Sequence, residues 1–316
     1  MGIKDLNKVL RSQCKNSIKI ISLAELHEKR VAIDISIYLY KFESDNTLIE
    51  NIFLMISIFY YYKIIPVFIF DGKPPPEKKE LLIKRLNEKK MAEKEYNVLK
   101  EKIETDVINK ENEKDILITM DKLKKKFISI KKDQIEKVKQ LILSYGATYL
   151  EAPSEADELC AMLVLKKKVW ACLSEDTDLF VYGCTRVLRY LSLLNHTAVL
   201  YDMENILLEL GLTQQQFREI CILSGTDYNH SNVHCLEKLF LLHKEYLHLN
   251  SNKNISFYEW IEIGCEEYKK INNIFDLSVN NTQLSTFVKE NDFQNSVINN
   301  KKVREILKED GFLFCK

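Results

Sequence analysis

Seven acidic residues in this 316-residue chain stand where acids are able to do chemistry together. Asp34 closes the apolar run Val31-Ala32-Ile33, Asp71 closes Pro66-Val67-Phe68-Ile69-Phe70, and Asp176 and Asp178 lie in Ser174-Glu175-Asp176-Thr177-Asp178. Glu155 and Asp157 belong to Ser154-Glu155-Ala156-Asp157, and Asp227 to Ser224-Gly225-Thr226-Asp227-Tyr228. One Asp at the end of an apolar run is ordinarily a turn former. Seven that converge are a different matter, because like charges brought together are strongly destabilising unless cations neutralise them. Oxygen ligands without clustered His or Cys suit Mg2+ or Mn2+ rather than zinc. Two such ions ~4 Å apart clamp a phosphodiester, one activating water and the other stabilising the leaving oxygen. The expected cofactors are therefore two Mg2+, with Mn2+ able to substitute, and several carboxylates are expected to act through metal-held water.

The elements needed to bring these acids together are legible around them. Val31 to Ser36 and Pro66 to Gly72 read as buried strands, since such short β-branched runs leave no room for helical periodicity. Thr47 to Lys63 reads as the crossover helix that a parallel pair requires. Lys73-Pro74-Pro75-Pro76 then forbids an immediate helix. Glu77 to Lys139, rich in Lys and Glu and free of Gly and Pro, predicts a long helical insertion. The α/β pattern resumes with a strand at Ala147 to Leu150, Ser154 as N-cap of a helix to about Lys167, and a strand at Val169 to Leu173. Further strands are expected at Val187 to Leu191 and Ala198 to Tyr201, and a capped helix from Leu212-Thr213-Gln214. In such sheets, ligands collect outside the carboxyl ends of the strands, where Asp34, Asp71, Asp176 and Asp178 fall. After Asp227 the pattern is mainly helical, with Trp260 and many Tyr, Phe and Leu supplying an appended core.

Composition narrows the class. Hydrophobic residues at 46% and charged residues at 29% describe a chain with a real core rather than a disordered one. The apolar runs Ile52 to Tyr62 and Pro66 to Phe70 are too short to span a bilayer, so no membrane partner is expected. Lys4, Asp5, Lys8 and Arg11 interrupt any secretory signal, and Leu6 stands where an N-myristoylation motif prefers Ser or Thr. The eight cysteines form no Cys-x-x-Cys pair and read as reduced thiols; His230, His234 and Cys235, near Cys221, lack a second ligand pair at zinc spacing. The net charge of zero hides an asymmetry: residues 73–139 hold 20 Lys and Arg against 14 Asp and Glu, a net +6, leaving −6 for the remainder. A basic segment against an acidic body suits an enzyme that grips phosphates with one part and concentrates cations with the other.

The ordered motifs resemble the flap endonuclease family, the XPG-like structure-specific 5′ nucleases. Met1-Gly2-Ile3-Lys4-Asp5-Leu6 is similar to its N-terminal start, and Val31 to Ser36 to its Val-Ala-Ile-Asp-Ala-Ser strand. Val67 to Pro75 resembles its Val-Phe-Asp-Gly-Lys-Pro-Pro element, Glu151 to Asp157 its Ala-Pro-Ser-Glu-Ala-Glu helix start, Ser174 to Asp178 its Glu-Asp-x-Asp, and Leu223 to Tyr228 its Leu-Gly-x-Asp-Tyr. The resemblance covers residues 1 to about 230. It implies a PIN-like three-layer α/β sandwich with a mostly parallel central sheet, a long helical arch insertion and a helical C-terminal region. The implied organisation is a nuclease core at 1–228, including the arch at 77–139, and a DNA-binding region at 229–316 carrying a degenerate helix-two-turn-helix.

Carried onto this chain, the family's metal-site acids are Asp34, Asp71, Glu155, Asp157, Asp176, Asp178 and Asp227, with Asp157 one methylene shorter than the usual Glu. Lys78 and Arg85 take the places of the Lys and Arg that contact the scissile phosphate, seven residues apart and so on one helical face. Tyr40 matches an aromatic that stacks a base near the cut, and Gly2 a residue beside the active site. In place of the family's Gly-rich duplex grip stands Asn229 to Lys238, without Gly, in which Lys238 is the remaining contact. The resemblance implies a Mg2+-dependent endonuclease and 5′→3′ exonuclease acting on 5′ flaps and junctions in DNA replication, repair or recombination. Alternatives are a relative specialised for four-way junctions, bubbles or recombination ends, an RNA nuclease, and a non-catalytic junction-binding scaffold. Branched or flapped DNA is the expected partner and a monomer the expected state. A sliding clamp is a further candidate partner, although the chain carries no convincing clamp-binding peptide. The expected location is intracellular: the nucleus for a cellular protein, a cytoplasmic replication site for a viral one.

Overall fold

The structure is a computed structural model that describes all residues except 1, 105–109, 230–233, 250–254, 262–264, 279–281, 292, 294–295 and 315–316. Seven strands, β1 (Ile18–Ser22), β2 (Arg30–Asp34), β3 (Ile65–Phe70), β4 (Thr148–Glu151), β5 (Ala171–Leu173), β6 (Arg186–Ser192) and β7 (Thr197–Asp202), join in one sheet. Their order is β1-β7-β6-β5-β2-β3-β4. From β6 to β4 every pairing is parallel; β7 and β1 run antiparallel at one edge.

Alternation along the central strands divides their side chains between two cores. Ala32, Val67, Ile69, Cys172 and Val187 point to one face, where they meet Leu6, Leu159, Met162, Phe180 and Phe217. Ile33, Phe68, Phe70, Leu173 and Leu188 point to the other, against Ile35, Ile52, Ile56, Val138 and Ile142. Helices cover both faces, so the molecule has the three layers expected of a mostly parallel sheet. Leu236, Phe240, Phe257, Tyr268 and Phe275 join the first of these cores. The C-terminal helices thus extend the core of the sheet rather than enclose a separate, appended one. The last helix, Asn300–Glu309, goes to the opposite face and places Val303, Ile306 and Leu307 in the second core.

The basic insertion is two long helices, Lys79–Glu104 and Lys110–Lys126. Their charged sequences bury little: Ala92, Met120 and Leu123 are covered, and Tyr96 meets Phe127 edge-on at 5.4 Å. None of these residues belongs to either main core. The next helix, Lys132–Ser144, starts inside the stretch read as insertion, yet Val138, Leu141 and Ile142 seat it on the sheet. No helix among the described residues is long and apolar enough to cross a membrane.

Candidate active site

Register places the acids at one edge of the sheet. Asp34 ends β2 opposite Ile69 of β3, and Ile33 lies opposite Leu173 of β5. Asp71 and Ser174, each one residue past its strand, therefore flank Asp34. Ser174 Oγ donates to Asp34 Oδ2 at 2.8 Å. Asp71 receives the Ser36 hydroxyl at 2.5 Å and the Ala156 backbone N–H at 2.9 Å. That N–H opens the helix Ala156–Leu165, so the positive end of its dipole faces Asp71. The N-cap is Glu155, not Ser154 as the sequence suggested, because Glu155 is the last extended residue before the helix; Asp157 then occupies the first turn. Gly72 closes the arrangement. Its N–H donates to Ser154 O at 2.7 Å, and a Cβ here would stand 1.9 Å from the Ala152 carbonyl oxygen.

The Asp176 and Asp178 loop is tied to the N-terminal segment. Thr177 Oγ1 accepts the Ile3 backbone N–H at 2.7 Å, and Gly2, at φ 76°, lies against the loop. A Cβ on Gly2 would fall 2.4 to 2.6 Å from Thr177, Asp176 and Asp178 side-chain oxygens, so a larger residue would have to displace them as well as adopt a strained positive φ.

Six of the seven acids, all but Asp178, line one cleft of about 490 Å3 together with Lys78, Arg85 and Tyr40. Asp178, 1% exposed, lies at the start of the helix Asp178–Tyr182 with its Oδ1 buried and unpartnered. Lys78 is buried and reaches Glu155 at 2.7 Å and Asp227 at 3.8 Å, while Arg85 reaches Asp227 at 2.9 Å. The Tyr228 hydroxyl donates to Glu155 at 3.0 Å, and the Lys78 ammonium stands 4.8 Å from the centre of the Tyr228 ring. Tyr40 is 47% exposed on the cleft wall, not a core tyrosine, with Lys89 Nζ 5.1 Å from its ring centre.

Crowding shows in the titration of the acids. Burial, then the neighbouring Asp71, pushes Asp34 up to about 7, against the pull of the Ser174 hydrogen bond. Burial followed by Glu155 and Asp176 holds Asp157 well above the usual carboxylate range, and burial followed by Asp176 does the same for Asp178. Burial alone would lower Lys78, but Asp157, Tyr228 and Glu155 outweigh it and raise its pKa.

This donor set fits divalent cations: its oxygens are hard, one buried carboxylate oxygen lacks any partner, and three acids resist ionisation without added positive charge. Among the described residues, however, no three His, Cys, Asp or Glu side chains are arranged to hold an ion directly. Six of the acids share one cleft without closing on one point. Like charges relax apart, and here Lys78 and Arg85 supply the compensating charge for Glu155 and Asp227.

Lys238 stands apart from the cleft, exposed on the helix Leu236–Leu249. Of the His/Cys group considered for zinc, Cys221 is buried in the first core, Cys235 is exposed, and His230 lies outside the described residues. Residues 230–233 of the Gly-less segment lie outside them as well. Sequence reasoning did not find Ser36, Ser174, Thr177 or Tyr228. The one signal for them was adjacency, since each lies within two residues of an acid already singled out.

Residues 1–92 match the XPG N-terminal domain and residues 146–227 the XPG I-region. Flap endonuclease 1 of Nematostella vectensis is 32% identical over 246 residues, covering 72% of this chain and 62% of that protein. Flap endonuclease 1-A of Oryza sativa subsp. japonica is 33% identical over 247 residues, with the same coverage. The chain thus spans about three fifths of the length of these curated relatives. Among solved structures, the catalytic core of Rad2 in complex with DNA substrate is similar at a TM-score of 0.64 and 21% identity, over 98% of this chain and 95% of that one. Human GEN1 in complex with Holliday junction DNA is similar at 0.65 and 18%, over 98% and 73%. Flap endonuclease-1 from Methanococcus jannaschii is similar at 0.57 and 23%, over 93% and 97%.

Proposed function

The chain belongs to the XPG family, and on that premise we propose that it is a divalent-metal-dependent, structure-specific 5′ nuclease that hydrolyses DNA at flaps and junctions. The observation that carries the proposal is the cleft itself, where six acids and three cations, Lys78, Arg85 and Lys89, face a volume open to solvent at the carboxyl edge of the sheet. Asp34, Asp71, Glu155, Asp157, Asp176, Asp178 and Asp227 are the residues that would hold two Mg2+, directly or through water. When bound, the ions would supply the Lewis acidity that activates water and stabilises the leaving oxygen.

The remaining work falls to the chain's own side chains. Lys78 and Arg85 turn from Glu155 and Asp227 to the scissile phosphate, which they orient and whose developing charge they stabilise. Tyr40 offers its exposed ring to an unpaired base, a contact that tolerates any base because each has a π-face. Gly2, by lacking a side chain, lets the N-terminal segment lie against the Asp176 and Asp178 loop. The two basic helices 79–104 and 110–126 attract the single strand, and the C-terminal helices, with Lys238 on their surface, hold the duplex.

The test is Mg2+-dependent cleavage of matched 5′-flap, nick, bubble and four-way-junction DNAs, with RNA counterparts. The expected result is cleavage of the flap near its junction with the duplex, lost on removing Mg2+ and lost in Asp176→Ala. Absence of cleavage of every substrate would reject the reading, and full activity in Asp176→Ala would reject the assigned site.

A further inference from the structure

We propose that an aliphatic slot beside the cleft is a nucleobase subsite, which takes one unpaired base of the strand being cut. The proposal rests on the nuclease reading and deepens it by assigning a site to residues outside the catalytic group.

The slot has a volume of about 320 Å3 and is lined by Pro74, Pro75 and Pro76 and, from the helix that follows, by Lys79, Leu82, Ile83 and Leu86. Leu82, Ile83 and Leu86 are 40%, 51% and 52% exposed. They belong to a helix whose other residues are mostly charged and which buries only Ala92. Three aliphatic side chains uncovered within five residues of such a helix invite an apolar occupant.

Continuity with the cleft says which occupant. Leu82 and Leu86 line both the slot and the cleft, so the two volumes share a wall. At 3.6 residues per turn, Arg85 and Lys89 lie on the side of the helix that faces the cleft, and Leu82, Leu86, Lys79 and Ile83 follow round the adjoining side. One helix thus presents a cationic strip beside an aliphatic strip. A nucleotide has the matching division, a charged phosphate and a flat, largely apolar base a few ångströms away. A phosphate drawn to Arg85 would leave an adjacent unpaired base at the slot. The three prolines are stiff, so the slot is formed before DNA arrives and little ordering entropy is lost on filling it. Aliphatic walls carry no hydrogen-bonding code, so the subsite accepts any base.

Ile83 lines the slot and not the cleft, which makes it the residue to change. The experiment uses the full chain and 5′-flap DNAs in which each of the first three unpaired nucleotides is replaced in turn by an abasic unit. Affinity is read with Ca2+ in place of Mg2+, and cleavage is read separately with Mg2+. One abasic position should weaken wild-type binding on the order of fivefold, as expected when about 40 Å2 of apolar contact is lost at ~25 cal/mol per Å2. Ile83→Ser should bind intact flap about as weakly as wild type binds that abasic flap, and should be indifferent to the abasic unit. 2-Aminopurine at the same position should change its emission with wild type and not with Ile83→Ser. Equal wild-type affinity for all abasic flaps overturns the subsite, as does an abasic penalty that persists in Ile83→Ser. So does a concentration-dependent self-association that Ile83→Ser abolishes, which would make the stripe a contact between copies. Loss of the nuclease reading is separate, because it appears as failure of the wild type to cleave in Mg2+.

Discussion

Asp178 keeps one carboxylate oxygen buried and unpartnered beside Asp176, while Asp34 has its pKa raised to about 7 chiefly by burial. Both observations describe an acid pair short of positive charge, and each yields a prediction at the level of one side chain. Asp178→Asn keeps the shape and removes the charge; it should lower cleavage by at least about a hundredfold while flap binding changes little, because on the proposed assignment it removes a cation ligand rather than a DNA contact. Unaltered cleavage would remove Asp178 from the site. For Asp34 the sign follows from linkage. Its pKa rises from 3.8 when unfolded to about 7 when folded, so between these values the folded, metal-free protein holds a proton that the unfolded chain has released. Its contribution to stability is complete below about pH 4, falls as the pH rises, and is lost above about pH 7. Thermal unfolding in EDTA should show wild type losing stability across that window relative to Asp34→Asn, and parallel curves would contradict the assignment. The positions of the acids were legible because six of them follow an apolar run or open a helix, and Asp227 stands in the turn after the helix Gln214–Ser224. Their protonation was not, because it depends on burial and on neighbours more than a hundred residues away, such as Ser174 against Asp34.

Gly72 determines how the β3 turn meets the helix that begins at Ala156. Gly72→Ala would drive a methyl group to 1.9 Å from the Ala152 carbonyl oxygen, a backbone atom that cannot swing aside. The turn must shift, and Asp71 with it, at a cost of roughly 1–3 kcal/mol. Calorimetry should therefore show a lower melting temperature together with weaker Mn2+ binding; unchanged values for both would mean that the turn is pliable. The strands flanking this turn were readable from their apolar runs, and Thr213 caps its helix with Gln216 as its sequence indicated. β1 was not readable. Ile18–Ser22 has one buried residue, and its pairing with β7 joins segments about 180 residues apart. The N-cap of Ala156–Leu165 was misplaced by one residue for a related reason: Ser154 has the better capping side chain, but its carbonyl is engaged by Gly72 and the chain stays extended through Glu155.

Across the whole molecule the +6 of residues 73–139 meets the −6 of the rest at the cleft, where Lys78 and Arg85 are bound to Glu155 and Asp227. In this state both cations are engaged by carboxylates. Divalent ions that took over the carboxylates would free them for DNA, so cation and DNA binding should reinforce each other. The coupling belongs to both partners equally, and values for such linkages lie at about 1–3 kcal/mol, or roughly 5- to 150-fold. Flap affinity measured with and without Ca2+ at matched ionic strength should differ by a factor in this range, beyond the general screening that salt exerts on basic helices. Lys78→Met should shrink the factor, because the ammonium released from Glu155 would be missing from both states, while the salt dependence set by the long helices stays close to that of wild type. Equal affinities in Ca2+ and EDTA would mean that the Lys78 and Arg85 ion pairs are fixed parts of the fold rather than cations held in reserve for the phosphate.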